Sequence, residues 1–360
     1  MGRWNGLSAA TLSDVARHAG VSLATASRAL NGSARVVRPD LVERVRASAH
    51  ALDYRADPSA QAMVRGRTAV VGLLVTTISD PYFSSIAAGV VQAAEQRGLV
   101  VTLAATGGDP ARELDHVAAL RAQRATAIVI AGSRHGHLGR TAVDSAPGDA
   151  CADGLAAALS AFRDGGGRVA VVSQQRLPAS TVVVENRAGA RDLAGALAGL
   201  GHRRFGVLAG PPDLMTSADR LAGFRAGLVA AGLSLPRDRV LHVPFTRDGG
   251  HAGALEVVAR GWDVDCLFAV NDVMAVGAMA ALRERGADVP RDLGVAGFDD
   301  IETLRDVSPA LTTVRLPLEQ MGRDAVELAL GDGDEGAAEA GVRVRRVRGE
   351  VVLRTSTARR

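Results

Sequence analysis

From residue 69 onward the chain alternates short apolar runs with helical stretches, and that pattern leaves few folds open. The runs are VVGLLV (70–75), VVTLAA (100–105), AIVIAG (127–132), VAVVS (169–173), FGVLAG (205–210), CLFAV (266–270) and LGVAGF (293–298). Each is rich in Val, Leu, Ile or Ala and flanked by glycine or a turn residue, as strands buried on both faces of a parallel sheet are. Helical stretches such as 83–96, 187–200 and 218–231 lie between them. Repeated βα units of this kind predict a parallel sheet with helices on both faces, and the length suffices for two such sheets. Residues 136–166, rich in Ala, Gly and Asp, are longer than most connections and are expected to form a helix with loose ends. His135 and His137 there read as loop residues, because no acidic or cysteine partner is spaced to join them on a metal.

Ahead of this α/β region lies a segment of different texture, TLSDVARHAGVSLATASRALN at 11–31. Val15, Ala16 and Ala19 fall at helical spacing, Asp14 suits a first turn, and Gly20 stops the helix. Ser22 can cap a second helix carried by Ala24, Ala26, Ala29 and Leu30. Two short helices joined at 19–22 make either an ordinary helical hairpin or a helix-turn-helix, whose second helix enters the DNA major groove. The small Thr and Ser side chains of the second helix, with Arg28 a turn later, favour close approach to phosphates and base edges.

Charge points the same way. The chain carries a net charge of +3, all its fixed cations are arginines, and residues 1–67 hold ten of them against five acids. The basic excess therefore coincides with the helix-turn-helix, as an electrostatic footprint on DNA requires. No apolar run approaches the ~20 residues of a membrane span. The opening residues MGRWNGLSAA lack the apolar core of a signal peptide, so a cytoplasmic location is expected. Cys151 and Cys266 are the two cysteines; far apart and outside any metal-ligand spacing, they read as thiols. At 360 residues the chain should divide into two or three units. Residues 1–10 read as a lead-in and 11–57 as a three-helix domain. Its third helix, 39–52, uses Leu41, Val42, Val45, Ala49 and Leu52 to cover the first two. Residues 58–67 open on Pro58 and are either a flexible linker or a short helix that cannot stand alone.

Thr11-Leu12, Asp14-Val15-Ala16, Ala19-Gly20-Val21-Ser22, Thr25, Ser27-Arg28 and Asn31 match in order, without gaps, the DNA-binding signature of the LacI/GalR repressors, and the chain resembles that family. The resemblance implies a homodimer that represses transcription from a palindromic double-stranded operator. It implies DNA contacts from Thr11, Leu12, Ser22, Leu23, Ala24, Thr25, Ser27, Arg28, Asn31 and Arg35. It also implies a hinge helix in the minor groove, with Met63 where the family places a wedging leucine. The chain departs from the family at Arg38 and Leu41, where Ser and Thr are usual, which puts a helix cap or phosphate contact in doubt. Further motifs resemble the family's effector core: Asp80-Pro81-Tyr82-Phe83, Glu185-Asn186, Arg220-Leu221-Ala222-Gly223-Phe224, Asn271-Asp272 and Gly297-Phe298-Asp299-Asp300. That core is similar to type I periplasmic binding proteins, two doubly wound α/β subdomains joined by three crossovers. The crossovers are expected near Glu185, Phe298 and Leu328, dividing 68–360 into subdomain one (68–185 and 299–327) and subdomain two (186–298 and 328–360). The tail from 342 to 360 has one leucine, which argues against the family's tetramerising heptad and for a dimer.

In open α/β sheets, ligands sit beyond the carboxyl ends of the strands. The candidates are Asp80, Tyr82 and Phe83 after the first run, Thr216 and Arg220 after FGVLAG, and Phe245 after VLHVP. Asn271 and Asp272 follow CLFAV, and Asp299 follows LGVAGF. Aromatics are 3% of the chain, yet Tyr82, Phe83, Phe245 and Phe298 all fall at such positions, as a platform for a sugar or nucleobase would need. Core packing explains Phe83 and Phe298 equally well, and Asp272 can equally cap the helix that follows it. Arg220 and Asp299 read as an effector clamp or as struts between the halves. By resemblance they hold hydroxyls of a carbohydrate effector, assisted by Asn271, with Phe245 stacking on its face. No GxSxG, HExxH or Walker motif occurs, and no GxGxxG follows a strand, so neither catalysis, a cofactor nor a resident metal is expected. A sugar-binding protein of a transport system is the alternative from another class, and residues 11–67 would have no use there. A nucleotide-dependent oxidoreductase would need the missing cofactor fingerprint.

Overall fold

A computed structural model describes residues 10–31, 37–54, 66–134, 147–174, 177–331 and 342–358, with no side-chain detail at Asn31 or 147–153. Arg35 and Met63 lie outside the described residues. The chain forms two compact units, Met1–Ala69 and Val70–Arg360.

In the first unit, Leu12–His18 (α1), Leu23–Asn31 (α2) and Pro39–Ala51 (α3) pack round a small core. Thr11 and Asp14 start α1 with a capping box: each side chain accepts the other residue's main-chain N–H. Gly20, at φ +63°, makes the turn into α2. Val15, Ala26 and Val45 are fully buried, joined by Ala16, Ala19, Ala29 and Ala49. Leu41, expected in this core, is half-buried outside the cluster. Arg38 stands at the N-cap of α3 without a side-chain cap bond and pairs with exposed Asp40 at 2.7 Å. The cap in doubt at this departure is therefore not made by Arg38.

The second unit contains two parallel sheets. The first runs through Thr68–Val75 (β1), Val100–Ala105 (β2), Ala125–Ala131 (β3), Arg168–Val172 (β4) and Ser180–Val184 (β5). The second contains Phe205–Ala209 (β6), Val240–His242 (β7), Cys266–Ala269 (β8) and Gly294–Ala296 (β9). Thr313–Arg315 (β10) and Glu350–Val352 (β12) pair as a separate antiparallel ribbon, and Val344–Val347 (β11) joins the first sheet. The sheet orders are β11-β5-β4-β3-β1-β2 and β7-β6-β8-β9. Strand β5, from STVVV, and β11 were not expected from the apolar runs.

Helices cover the sheets in sequence order. They are Pro81–Glu95 (α4), Pro110–Ala122 (α5), Pro147–Asp164 (α6), Asn186–Gly199 (α7), Met215–Ala230 (α8), Arg247–Ala259 (α9), Asp272–Glu284 (α10) and Leu318–Leu330 (α11). Helix α6 is the helix expected within 136–166. Three helix pairs touch backbone to backbone through glycines. A side chain on Gly89 or Gly322 would strike the main chain of the α11 or α4 partner, one on Gly223 or Gly227 the main chain of α7, and one on Gly250 or Gly277 that of α10 or α9. Close approach of α7 and α8 sets Asn186 beside Arg220.

Two crossovers lie later than expected. The chain leaves the second lobe through β10 and enters the first at α11, which packs on α4, β3, β4 and β5. Because β11 lies against β5, residues 344–347 belong to the first lobe, and the last crossing falls between β11 and β12. Leu328 is thus inside a helix of the first lobe. The expected boundaries followed where motifs end, whereas strand pairing fixes where the chain crosses. At this hinge Asp300, itself at φ +57°, accepts Arg315 at 2.8 Å and Arg354 at 2.7 Å.

Candidate DNA-binding and effector sites

Helix α2 presents its first residues outward: Ser22, Leu23 (51% exposed) and Ala24. Ser22 caps the helix, its Oγ accepting the Thr25 N–H at 3.1 Å and lying 2.8 Å from the Thr25 hydroxyl. Thr25, Ser27 and Arg28 are half-buried. Arg28 Nε donates to the Ala24 carbonyl at 2.9 Å, a neutral acceptor that a charged phosphate would outcompete. Thr11 and Leu12 are committed to the fold, one in the capping box and the other against the core.

In the second unit the carboxyl ends of both sheets deliver the expected residues. Asp80 caps α4, accepting the Tyr82 N–H at 2.9 Å, and Tyr82 meets Phe83 edge-to-face at 5.1 Å. Arg220, 2% exposed, donates through Nε to Asn186 Oδ1 (2.8 Å) and through its terminal nitrogens to Val270 O (2.7 Å) and Asp299 Oδ1 (2.7 Å). Its guanidinium lies 3.8 Å above the Phe298 ring. Asp299 adopts φ +122°, unusual for a residue with a side chain, and this aims its carboxylate at Arg220. Burial pushes the Asp299 carboxyl up while Arg220 draws it back, and Asp272 and Asp80 add repulsion. Burial also raises Asp80 and the Tyr82 hydroxyl, the latter further under the field of Asp299. Phe245 is half-buried against the backbone of Gly210.

Two neighbours divide roles differently from the sequence expectation. Asn271, not Asp272, caps α10, accepting the Met274 N–H at 2.9 Å. Asp272 is fully buried, with one oxygen accepting the Ile301 N–H at 3.0 Å and the other the Thr313 hydroxyl at 2.6 Å. It therefore ties the start of α10 to the hinge strand β10 and has no surface open to a ligand. The ND pair reads as interchangeable in sequence; only the turn into α10 decides which side chain reaches the helix amides.

Thr216 bridges the lobes. Its hydroxyl accepts Gln174 Nε2 at 2.7 Å, and its N–H donates to Ser133 Oγ at 3.2 Å. Ser133, Gln174 and Asn186 were missed as site residues. The signal was available for two of them, since Ser133 follows β3 and Gln174 follows β4 at the same carboxyl edge. Among the described residues, no group of three His, Cys, Asp or Glu side chains could hold a metal, and no helix is long and apolar enough to cross a membrane.

Comparison with known proteins accounts for both units. Residues 11–57 match the model of bacterial regulatory proteins of the lacI family, and residues 194–357 match a periplasmic binding protein-like domain. The HTH-type transcriptional regulator CelR of Thermobifida fusca is 32% identical over 323 residues, 88% of this chain and 90% of that protein. A solved complex of a transcriptional regulator CelR with cellobiose superposes with a TM-score of 0.66 at 29% identity, covering 96% of this chain and 99% of that one. The Lac repressor dimer bound to operator shares the fold at a TM-score of 0.80 and 24% identity, covering 98% of this chain and 100% of that one. The chain belongs to the lacI family of bacterial regulatory proteins and is a transcriptional regulator with a DNA-binding helix-turn-helix and a periplasmic-binding-protein-like core.

Proposed function

We propose that this regulator is a cytoplasmic homodimer that represses from a palindromic operator and is controlled by a neutral sugar bound, without turnover, between the two lobes of its core. The observation that carries the effector reading is the convergence of Asp80, Arg220 and Asp299, with Tyr82 beside them, where strands of both sheets end; Asn271 follows Val270, whose carbonyl accepts Arg220. Two carboxylates against one fully engaged guanidinium favour hydroxyl donors over anions. Arg28 reads or anchors in the major groove, while Ser22, Thr25, Ser27 and Asn31 mainly hold phosphates, Arg35 adds a DNA contact, and Met63 wedges the central step. A dimer follows from recognition: one helix-turn-helix spans too few base pairs for specificity. A ligand touching both lobes biases their angle, which needs only different affinities for the two angles.

The test is a thermal-shift screen of sugars, polyols and nucleosides, beginning with cellobiose, followed by operator gel shifts with each hit. A neutral sugar that raises the melting temperature and changes operator affinity is the expected result. Stabilisation by nucleotides or sugar phosphates alone would overturn the neutral-sugar assignment.

A further inference from the structure

Helix α8, which carries Arg220, does not cap itself. Asp80, Asp109, Thr246 and Asn271 each accept a first-turn amide of the helix they begin. Leu214 occupies the N-cap of α8 in extended conformation, φ −76° and ψ 109°, with a side chain that accepts nothing. The acceptors come instead from the other lobe. Met215 N–H donates to the Arg134 carbonyl at 3.0 Å and Thr216 N–H to Ser133 Oγ at 3.2 Å, both residues following β3 of the first sheet. Gln174, beyond β4, accepts the Arg134 N–H at 3.1 Å and donates to the Thr216 hydroxyl at 2.7 Å. Arg134 is itself fixed by a two-pronged pair with Glu113 at 2.7 and 2.9 Å, largely out of solvent.

We propose that Ser133, Arg134 and Gln174 are positioning residues of the cleft: they cap α8 from the opposite lobe, so that lobe closure and the seating of the Arg220 helix are one equilibrium. Opening the cleft uncovers two helix amides that nothing in their own lobe satisfies, which favours the closed form before any ligand arrives. Its consequence for an effector rests on the cleft assignment above; the capping does not. The latch sets how much of its binding free energy an effector must spend on closure, and hence the concentration at which the regulator responds.

Hydrogen exchange at single-amide resolution, on the full chain without effector, tests this. Gln174 touches neither amide, yet Gln174→Ala should speed exchange at both Met215 and Thr216 about tenfold, with later turns of α8 unchanged. Gln174→Met, which keeps the side-chain length, should do the same and serves if the alanine variant folds poorly. Adding Leu214→Ser supplies an acceptor that reaches the second helical amide but not the first. It should restore protection at Thr216 and leave Met215 fast. Unchanged exchange at both amides, acceleration at Thr216 alone, or equal rescue of both by Leu214→Ser would overturn the proposal. No effector enters the experiment, so its outcome is the same whether or not the effector assignment is right.

Discussion

Replacing Arg220 by alanine removes the cation from a cluster of buried polar groups. In the wild-type chain its three bonded nitrogens reach Asn186, Val270 and Asp299, and the two side-chain partners, Asn186 and Asp299, are each 5% exposed. Deleting one member of such a pair leaves the other charge buried without compensation, which costs about 3–5 kcal/mol. Part of that cost is avoidable, because Asp299 can take up a proton: burial already pushes its carboxyl up, and loss of Arg220 removes the influence drawing it down. The double variant Arg220→Met/Asp299→Asn, with no buried charge left, should therefore be more stable than Arg220→Ala by about 1–3 kcal/mol. Urea unfolding followed through Trp262, which lies in the same lobe, measures both. If Arg220→Ala unfolds within about 1 kcal/mol of wild type, the guanidinium is not a strut of the second lobe and serves ligand binding alone.

Two further outcomes follow from the same geometry. Arg28→Ala should weaken binding to a cognate operator by about 1–3 kcal/mol and relax specificity; an unchanged ratio of specific to random-duplex affinity in titrations would return Arg28 to a general phosphate contact. Asp272, raised to about 6 by burial, keeps in the folded state a proton that the unfolded chain loses above its ordinary 3.8. Its contribution to stability should thus decline by about 2 kcal/mol as pH rises from 4 to 6, out of about 3 kcal/mol over the whole titration, and level off above about pH 7. Asp272→Asn lacks that slope, so a stability difference between the two proteins that is constant from pH 4 to 7 would exclude the titration.

Local rules were enough for much of this protein. Apolar runs located seven strands of the two parallel sheets. Six are largely buried, as a strand covered on both faces must be apolar along its length, whereas β2, expected to be buried, is an edge strand with Val100 and Leu103 exposed. Gly20 and Ser22 placed the turn between α1 and α2, and the carboxyl-edge rule picked out Asp80, Thr216, Arg220, Asn271 and Asp299. Each of those inferences needs only neighbours in the chain or the direction of one strand. What the fold alone decided involves partners distant in sequence. Strand β11, reading VRRV, carries no buried-strand signature because it is an edge strand, and only its pairing with β5 moves the last crossover past residue 347. Asn271 takes the cap that Asp272 could equally have made, and Asp272 is drawn into the hinge because β10 brings Thr313 to it. Helix α8 looks uncapped at Leu214, and its acceptors lie far upstream, Ser133 being 83 residues from the Thr216 amide it accepts. A hydrogen bond across two lobes leaves no periodicity in a sequence; it exists only once both sheets have formed and the crossovers have set them edge to edge.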